Sequence, residues 1–128
     1  LSQQYRVLIV DDNPELRLLV RMALEPTDFE LSEAANAMEG LVLINQYRPG
    51  IVLLDVMMPG KMDGLSLCQK IKQDPVLKST HVIMLSAKGQ QQDKDMAKLM
   101  GADEYIVKPF SPAELLRQLN IYSNNGDA

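Results

Sequence analysis

Short apolar runs alternate with longer stretches at helical spacing five times along the chain, and this rhythm constrains the fold more than any other feature. The runs are Val7–Val10, a weaker one near Phe29–Leu31, Ile51–Leu54, Val82–Leu85 and Tyr105–Val107. Apolar runs bounded by turn residues read as strands, and strands alternating with helical patterns read as βαβ units on a parallel sheet. The third and fourth runs are continuous rather than alternating, as expected of central strands covered on both faces.

The helical stretches carry their own punctuation. Leu16, Leu19, Val20, Ala23 and Leu24 fall on i, i+3, i+4, i+7 and i+8, and Asp12, Asn13 and Pro14 supply a start signal. Ser111, Pro112 and Glu114 give an N-cap, a first-turn proline and a capping-box acid. The helix they open, with Leu115, Leu116, Leu119 and Tyr122 as its stripe, is predicted to run to about Tyr122. Helices are also expected near Met38–Tyr47, with Leu41 and Ile44, and over Gly64–Gln73, with Leu67, Cys68 and Ile71, after a turn at Asp63 and Gly64. Gln90–Met100 opens with a polar run and has a weak stripe. Ser123–Ala128 is small, polar and aperiodic, which predicts a frayed tail or the start of a linker after one domain spanning residues 1–122.

Composition narrows the function classes. The 128 residues are 46% apolar and 23% charged, a balance that suits one packed domain. The net charge of −4, with dispersed lysines and arginines, lacks the basic footprint of direct nucleic-acid binding. No apolar run approaches the ~20 residues of a membrane span, and no basic-then-apolar leader opens the chain. A lone cysteine, Cys68, rules out an internal disulfide and a multi-cysteine zinc site and points to a cytoplasmic setting, with Cys68 as a small core hydrophobe. Because the chain begins with Leu1, it reads as a piece of something longer.

Open parallel sheets bind ligands at the carboxyl ends of their strands, so residues just past each run matter most. Asp11 and Asp12 follow the first run, Asp55 the third, Ser86 the fourth and Lys108 the fifth. Three clustered carboxylates must take up protons, recruit a cation or stay wet. Mg²⁺ suits such an oxygen-only set, since it keeps several waters and takes one or two carboxylates plus a phosphate oxygen. Lys108 adds a second positive charge, and a carboxylate can itself attack phosphorus to form an aspartyl phosphate. Asp55, alone on its strand end, is the expected nucleophile.

VLIVDDNP, VLLDVMMPG, VIMLSA and YIVKPF, in that order and spacing, resemble the signature blocks of two-component response regulator receiver domains over roughly Tyr5 to Tyr122. The resemblance implies a flavodoxin-like (βα)5 doubly wound sheet with strand order 2-1-3-4-5. It also implies Asp55 as phosphoacceptor, Asp12 as direct metal ligand, Asp11 as a ligand acting mainly through water, and the Met57 carbonyl as a further ligand. Ser86 matches the hydroxyl that bonds a phosphoryl oxygen, Lys108 the family lysine and Tyr105 the aromatic switch residue, with a cis peptide before Pro109. A sensor histidine kinase or phosphotransfer protein would donate the phosphoryl group. The switched surface around Gln90–Met100, Tyr105–Val107 and the last helix would be read by an effector domain, a partner protein or a second copy in a phosphorylation-dependent dimer. Such a domain catalyses only its own phosphorylation and dephosphorylation.

Two departures stand out. Pro59-Gly60-Lys61-Met62-Asp63-Gly64 is one residue longer than the commoner P-G-M-D-G form, so Lys61 is expected to bulge the loop, and Ala37 stands where glycine is frequent. Singly, each site residue has a plainer role: Asp12 a helix N-cap beside a solvated Asp11, Lys108 a surface lysine, Ser86 a turn former, Tyr105 a half-buried strand residue. His81 opens a strand without a ligand partner nearby and reads as a satisfied edge histidine. The main rival function is a metal-dependent phosphohydrolase or phosphotransferase, against which stand the missing D-x-D spacing and the lack of room for a substrate domain. A degenerate receiver that binds partners without phosphorylation is the other.

Overall fold

The computed structural model describes residues 3–60 and 62–125. A short 3-10 turn at Gln3–Tyr5 leads into β1 (Arg6–Val10), followed by α1 (Pro14–Leu24), β2 (Glu30–Ala34), α2 (Ala37–Tyr47), β3 (Ile51–Asp55), α3 (Gly64–Gln73), β4 (His81–Ser86), α4 (Gln91–Leu99), β5 (Glu104–Val107) and α5 (Pro112–Asn125). All strand pairings are parallel and the order is β2-β1-β3-β4-β5, the flavodoxin-like arrangement. The two chain directions outward from β1 create the switch point between β1 and β3.

Alternate residues of the central strands feed two cores, because successive side chains of a strand point to opposite faces. Leu8, Val10, Val52, Leu54, Val82 and Met84 meet Ala37, Ile44, Leu67, Cys68, Ile71 and Ala97 on the face covered by α2, α3 and α4. Val7, Ile9, Ile51, Leu53, Ile83 and Leu85 meet Val20, Leu24, Leu115 and Leu119 on the face covered by α1 and α5. Cys68 is wholly buried, as its place on an apolar stripe predicts.

Several boundaries differ from the sequence expectation for physical reasons. β2 is shifted toward the C-terminus, to Glu30–Ala34, because an edge strand is held by its backbone ladder to β1 while Ser32 and Glu33 stay partly exposed and blur the apolar signal. Leu19 is 38% exposed; the covered arc of α1 is Leu16, Val20, Ala23 and Leu24. α5 continues past Tyr122 to Asn125, with Ser123 buried and its hydroxyl donating to the Asn120 carbonyl at 3.2 Å. The rest of the expected polar tail, residues 126–128, and the expected bulge at Lys61 lie outside the described residues. His81 opens β4, but its Nδ1 is buried without a hydrogen bond among the described residues, 3.9 Å from Asp103. Ala37 is buried at the first position of α2.

α4 is the least anchored of the helices. Ala97 is its one buried residue, and Gln90 makes no side-chain capping bond to it. The polar opening and weak stripe of its sequence are realised as sparse packing. Among the described residues, no helix is long and apolar enough to cross a membrane.

Candidate functional site

Strand register assembles the site. Val10 pairs with Leu54, so Asp11 and Asp55 emerge side by side at the ends of β1 and β3. Asp55 pairs with Leu85 and Ser86 with Val107, so Ser86 and then Lys108 follow at the next two strand ends. The expected residues Asp11, Asp12, Asp55, Ser86 and Lys108 therefore share one edge of the sheet, and Asp11, Asp55 and Ser86 are buried.

Asp11 is held at every polar atom. Its N–H donates to the Ala34 carbonyl at 3.1 Å, its carbonyl accepts from Arg17 Nη1 at 2.6 Å, Oδ1 accepts from the Asn13 N–H at 2.9 Å and Oδ2 from Lys108 Nζ at 2.9 Å. Asn13, not Asp12, caps α1, its side chain accepting from the backbone N–H groups of Glu15 and Leu16. Asp12 is thus left exposed and free of the capping role that would have explained it otherwise.

Asp55 sits with 6% of its surface exposed. Its Oδ1 accepts from the Met57 N–H at 3.2 Å and lies 3.5 Å from Lys108 Nζ. Burial, and then the neighbouring Asp11 carboxylate, push its pKa up to about 6, against the opposing pull of Lys108 and the Met57 N–H. Directly behind it, a Cβ on Gly64 would run into the Asp55 carbonyl oxygen, and the Gly64 N–H bonds the Val56 carbonyl at 3.1 Å. Asp63, immediately before, caps α3 by accepting from the Ser66 N–H at 2.8 Å. Only glycine lets α3 start this close to the phosphoacceptor candidate.

Ser86 and Tyr105 are joined through one intermediary. The Lys88 N–H donates to Ser86 Oγ at 3.0 Å, and the Lys88 carbonyl accepts from the Tyr105 hydroxyl at 2.6 Å. Ser86 is thus a turn former, and its hydroxyl still has a proton to donate. Tyr105 is half-buried and, with Lys88, Met57, Met58 and Met96, lines a cavity of about 570 Å³ beside the site. The Lys108–Pro109 peptide is cis.

Sequence reasoning missed three contributors: Arg17, the backbone of Lys88, and the steric demand on Gly64. Asp63 and Gly64 carried a turn signal, but Arg17 looks like any helical arginine and Lys88 like any loop lysine. Nothing in their spacing announces a contact made by folding.

Asp11, Asp12 and Asp55 each offer a carboxylate oxygen within 4.8 Å of the others. Three carboxylates face one ammonium here, leaving excess negative charge, and the Asp12 side is open to solvent. That oxygen-only, part-wet donor set fits a hard divalent cation.

The family model of the response regulator receiver domain matches residues 7–120. The chain is 40% identical over 113 residues to the phosphate regulon transcriptional regulatory protein PhoB of Pseudomonas aeruginosa, covering 88% of this chain and 49% of that protein. It is 38% identical over 115 residues to the transcriptional regulatory protein ResD of Bacillus subtilis, covering 90% of this chain and 46% of that one. The chain therefore spans about half the length of these curated relatives. A chemotaxis protein of Vibrio cholerae has a similar structure, with a TM-score of 0.85 at 31% identity over 91% of this chain and 97% of that one. The receiver domain of a Francisella response regulator superposes with a TM-score of 0.87 at 30% identity, covering 94% of this chain and 98% of that one. Nothing in these similarities supports the phosphohydrolase or phosphotransferase alternative. By its sequence blocks, its fold and these matches, the chain belongs to the response regulator receiver domain family, the signalling module of two-component systems.

Proposed function

We propose that Asp55 accepts a phosphoryl group from a phosphohistidine donor, a sensor histidine kinase or phosphotransfer protein in the cytoplasm, and that the event is read out through Ser86 and Tyr105. The observation that carries this reading is the meeting of Asp11, Asp12, Asp55 and Lys108 at one strand edge. Oδ1 of Asp55 is engaged by Lys108 and the Met57 N–H, which leaves Oδ2 as the attacking oxygen. It forms a bond to phosphorus as the bond from phosphorus to the donor imidazole breaks, the electron pair leaving on nitrogen. Asp12, Asp55, the Met57 carbonyl and, through water, Asp11 would hold Mg²⁺. When bound, the ion supplies charge neutralisation for the phosphoryl oxygens. Lys108 offers a second positive charge, and Ser86 a hydroxyl donor.

The switch follows from the hydrogen bonds of Lys88. A Ser86 hydroxyl that swings toward a phosphoryl oxygen releases the Lys88 N–H, and the same residue's carbonyl anchors Tyr105. The disturbance then reaches α4, whose sparse packing gives it the low local stability a two-state element needs. An effector domain, a separate partner or a second copy would read the α4–β5–α5 face. Amide hydrogen exchange with and without beryllofluoride should accordingly change most, away from the site itself, in Gln91–Leu99 and Glu104–Val107. If the largest remote changes fall on α2, this face is not the output surface.

Metal removal tests the chemistry. Acetyl phosphate should phosphorylate the chain with Mg²⁺ present and fail to do so with excess EDTA. At tenfold excess over its dissociation constant, Mg²⁺ should stabilise the domain by about 1.4 kcal/mol, and Asp12→Ala should remove most of that gain. Phosphorylation that proceeds undiminished in EDTA, or a urea midpoint indifferent to Mg²⁺ at fixed ionic strength, would contradict the reading.

A further inference from the structure

The first turn of α1 contains a cation where a metal site would least want one. Arg17 donates from Nη1 to the Asp11 carbonyl at 2.6 Å, with its side chain 19% exposed. Helical side chains lean toward the helix N-terminus, so a residue one turn into α1 projects back over the β1–α1 turn. The other side of its guanidinium is held as well: Nε lies 3.4 Å from Glu33 Oε1 on β2. Glu33 is in turn gripped by Arg21, whose Nε and Nη2 donate to its two oxygens at 2.7 and 2.9 Å. A chain of charge-assisted contacts therefore runs from the edge strand through Arg17 to the backbone of the site.

The atom it ends on matters. The Asp11 carbonyl belongs to the planar peptide that links Asp11 to Asp12, so a bond to that oxygen restrains the rotation that aims Asp12. Asp11 itself has its N–H and both carboxylate oxygens held by Ala34, Asn13 and Lys108. Asp12 is exposed and does not cap α1. Its presentation depends on the peptides on both sides of it, the C-terminal one held through the Asn13 N–H on Asp11 Oδ1 and the N-terminal one held by Arg17.

We propose that Arg17 is a positioning residue for cation binding: it fixes the Asp11–Asp12 peptide so that the Asp12 carboxylate stands beside those of Asp11 and Asp55. The proposal rests on the reading of that cluster as the Mg²⁺ site. Charge and positioning make opposite predictions, which gives the test its force. A guanidinium near the site repels a divalent cation, so on charge alone Arg17→Ala should bind Mg²⁺ more tightly. Positioning requires weaker binding, by roughly tenfold, the lower end of what loss of an outer-shell partner does to metal sites.

The experiment is calorimetric titration of Mg²⁺ into the full chain at fixed ionic strength, with urea unfolding run on each variant. Wild type should bind, Arg17→Ala should bind about tenfold more weakly, and Arg17→Lys should fall between them, because it keeps the charge and loses the fork that spans Asp11 and Glu33. A purely structural role would lower the unfolding midpoint and leave the Mg²⁺ dissociation constant of the folded protein unchanged. Arg17→Ala with wild-type or tighter affinity overturns the proposal. If that variant does not fold, Arg17→Lys at wild-type affinity does the same. Wild type that fails to bind Mg²⁺ removes instead the metal-site reading on which the proposal stands.

Discussion

Asp55→Asn should abolish phosphoryl incorporation and, in metal-free buffer at pH 7, make the domain more stable than wild type. Both results come from one carboxylate. The amide cannot form an acyl phosphate, so incorporation from acetyl phosphate should fall to background. The gain in stability comes from burial and the Asp11 carboxylate, which raise the Asp55 pKa from 3.8 to about 6. A raised pKa means that the folded state favours the proton. The corresponding stability is fully present below about 3.8, is lost as pH rises toward 6, and is absent above it. Allowing for solvent screening at this part-wet site, the displacement corresponds to on the order of 1–2 kcal/mol at pH 7. Asparagine carries no titrating proton, so its advantage over wild type should vanish below about pH 4 and be complete above about pH 6. Urea unfolding across that range, in EDTA, measures it. A variant no more stable than wild type at pH 7 would mean that the Asp55 carboxylate is not strained in its ionised form.

Gly64→Ala should destabilise the domain by about 3 kcal/mol, near the upper end of the usual overpacking penalty, and lower the thermal midpoint by roughly 10 °C. The added methyl meets the Asp55 carbonyl, and it would lie 2.9 Å from the Val56 Cα. Both neighbours are backbone, so no side chain can rotate out of the way, and relief requires α3 or the end of β3 to move. Any such movement displaces Asp55, so the fraction that folds should also phosphorylate more slowly. By contrast, a Cβ added at Gly60 would meet nothing within 4 Å among the described residues, although its positive φ of 114° favours glycine. Gly60→Asn, a residue that tolerates positive φ, is the matched control and should cost much less. Equal midpoints for Gly64→Ala and wild type would show that the close approach of α3 to Asp55 is not structurally required.

The parts of this molecule that were legible in its sequence are those written in local pattern. Continuous apolar runs announced β3 and β4, and Ser111-Pro112-x-Glu114 announced the start of α5, because burial on both faces and capping chemistry each leave a short-range signature. The strand-end residues were legible for a topological reason: in a parallel sheet every strand delivers its C-terminal residue to the same edge. Parallel pairing therefore carries Asp11, Asp55, Ser86 and Lys108 together. β2 was blurred because an edge strand needs few apolar residues, and the end of α5 was missed because Ser123, polar in sequence, is buried on the helix. Arg17 and Lys88 act through backbone atoms of other segments, and such contacts exist only once the turns have formed.

On the proposed function, one particular carboxylate, that of Asp55, becomes the acyl phosphate. Borohydride reduction of the chain after treatment with acetyl phosphate and Mg²⁺ converts an aspartyl phosphate to homoserine, and peptide sequencing by mass spectrometry locates it. Homoserine is expected at position 55, with unmodified aspartate at 11 and 12. Homoserine at Asp11 or Asp12, or none at Asp55 in protein that carries the phosphoryl group, would contradict it.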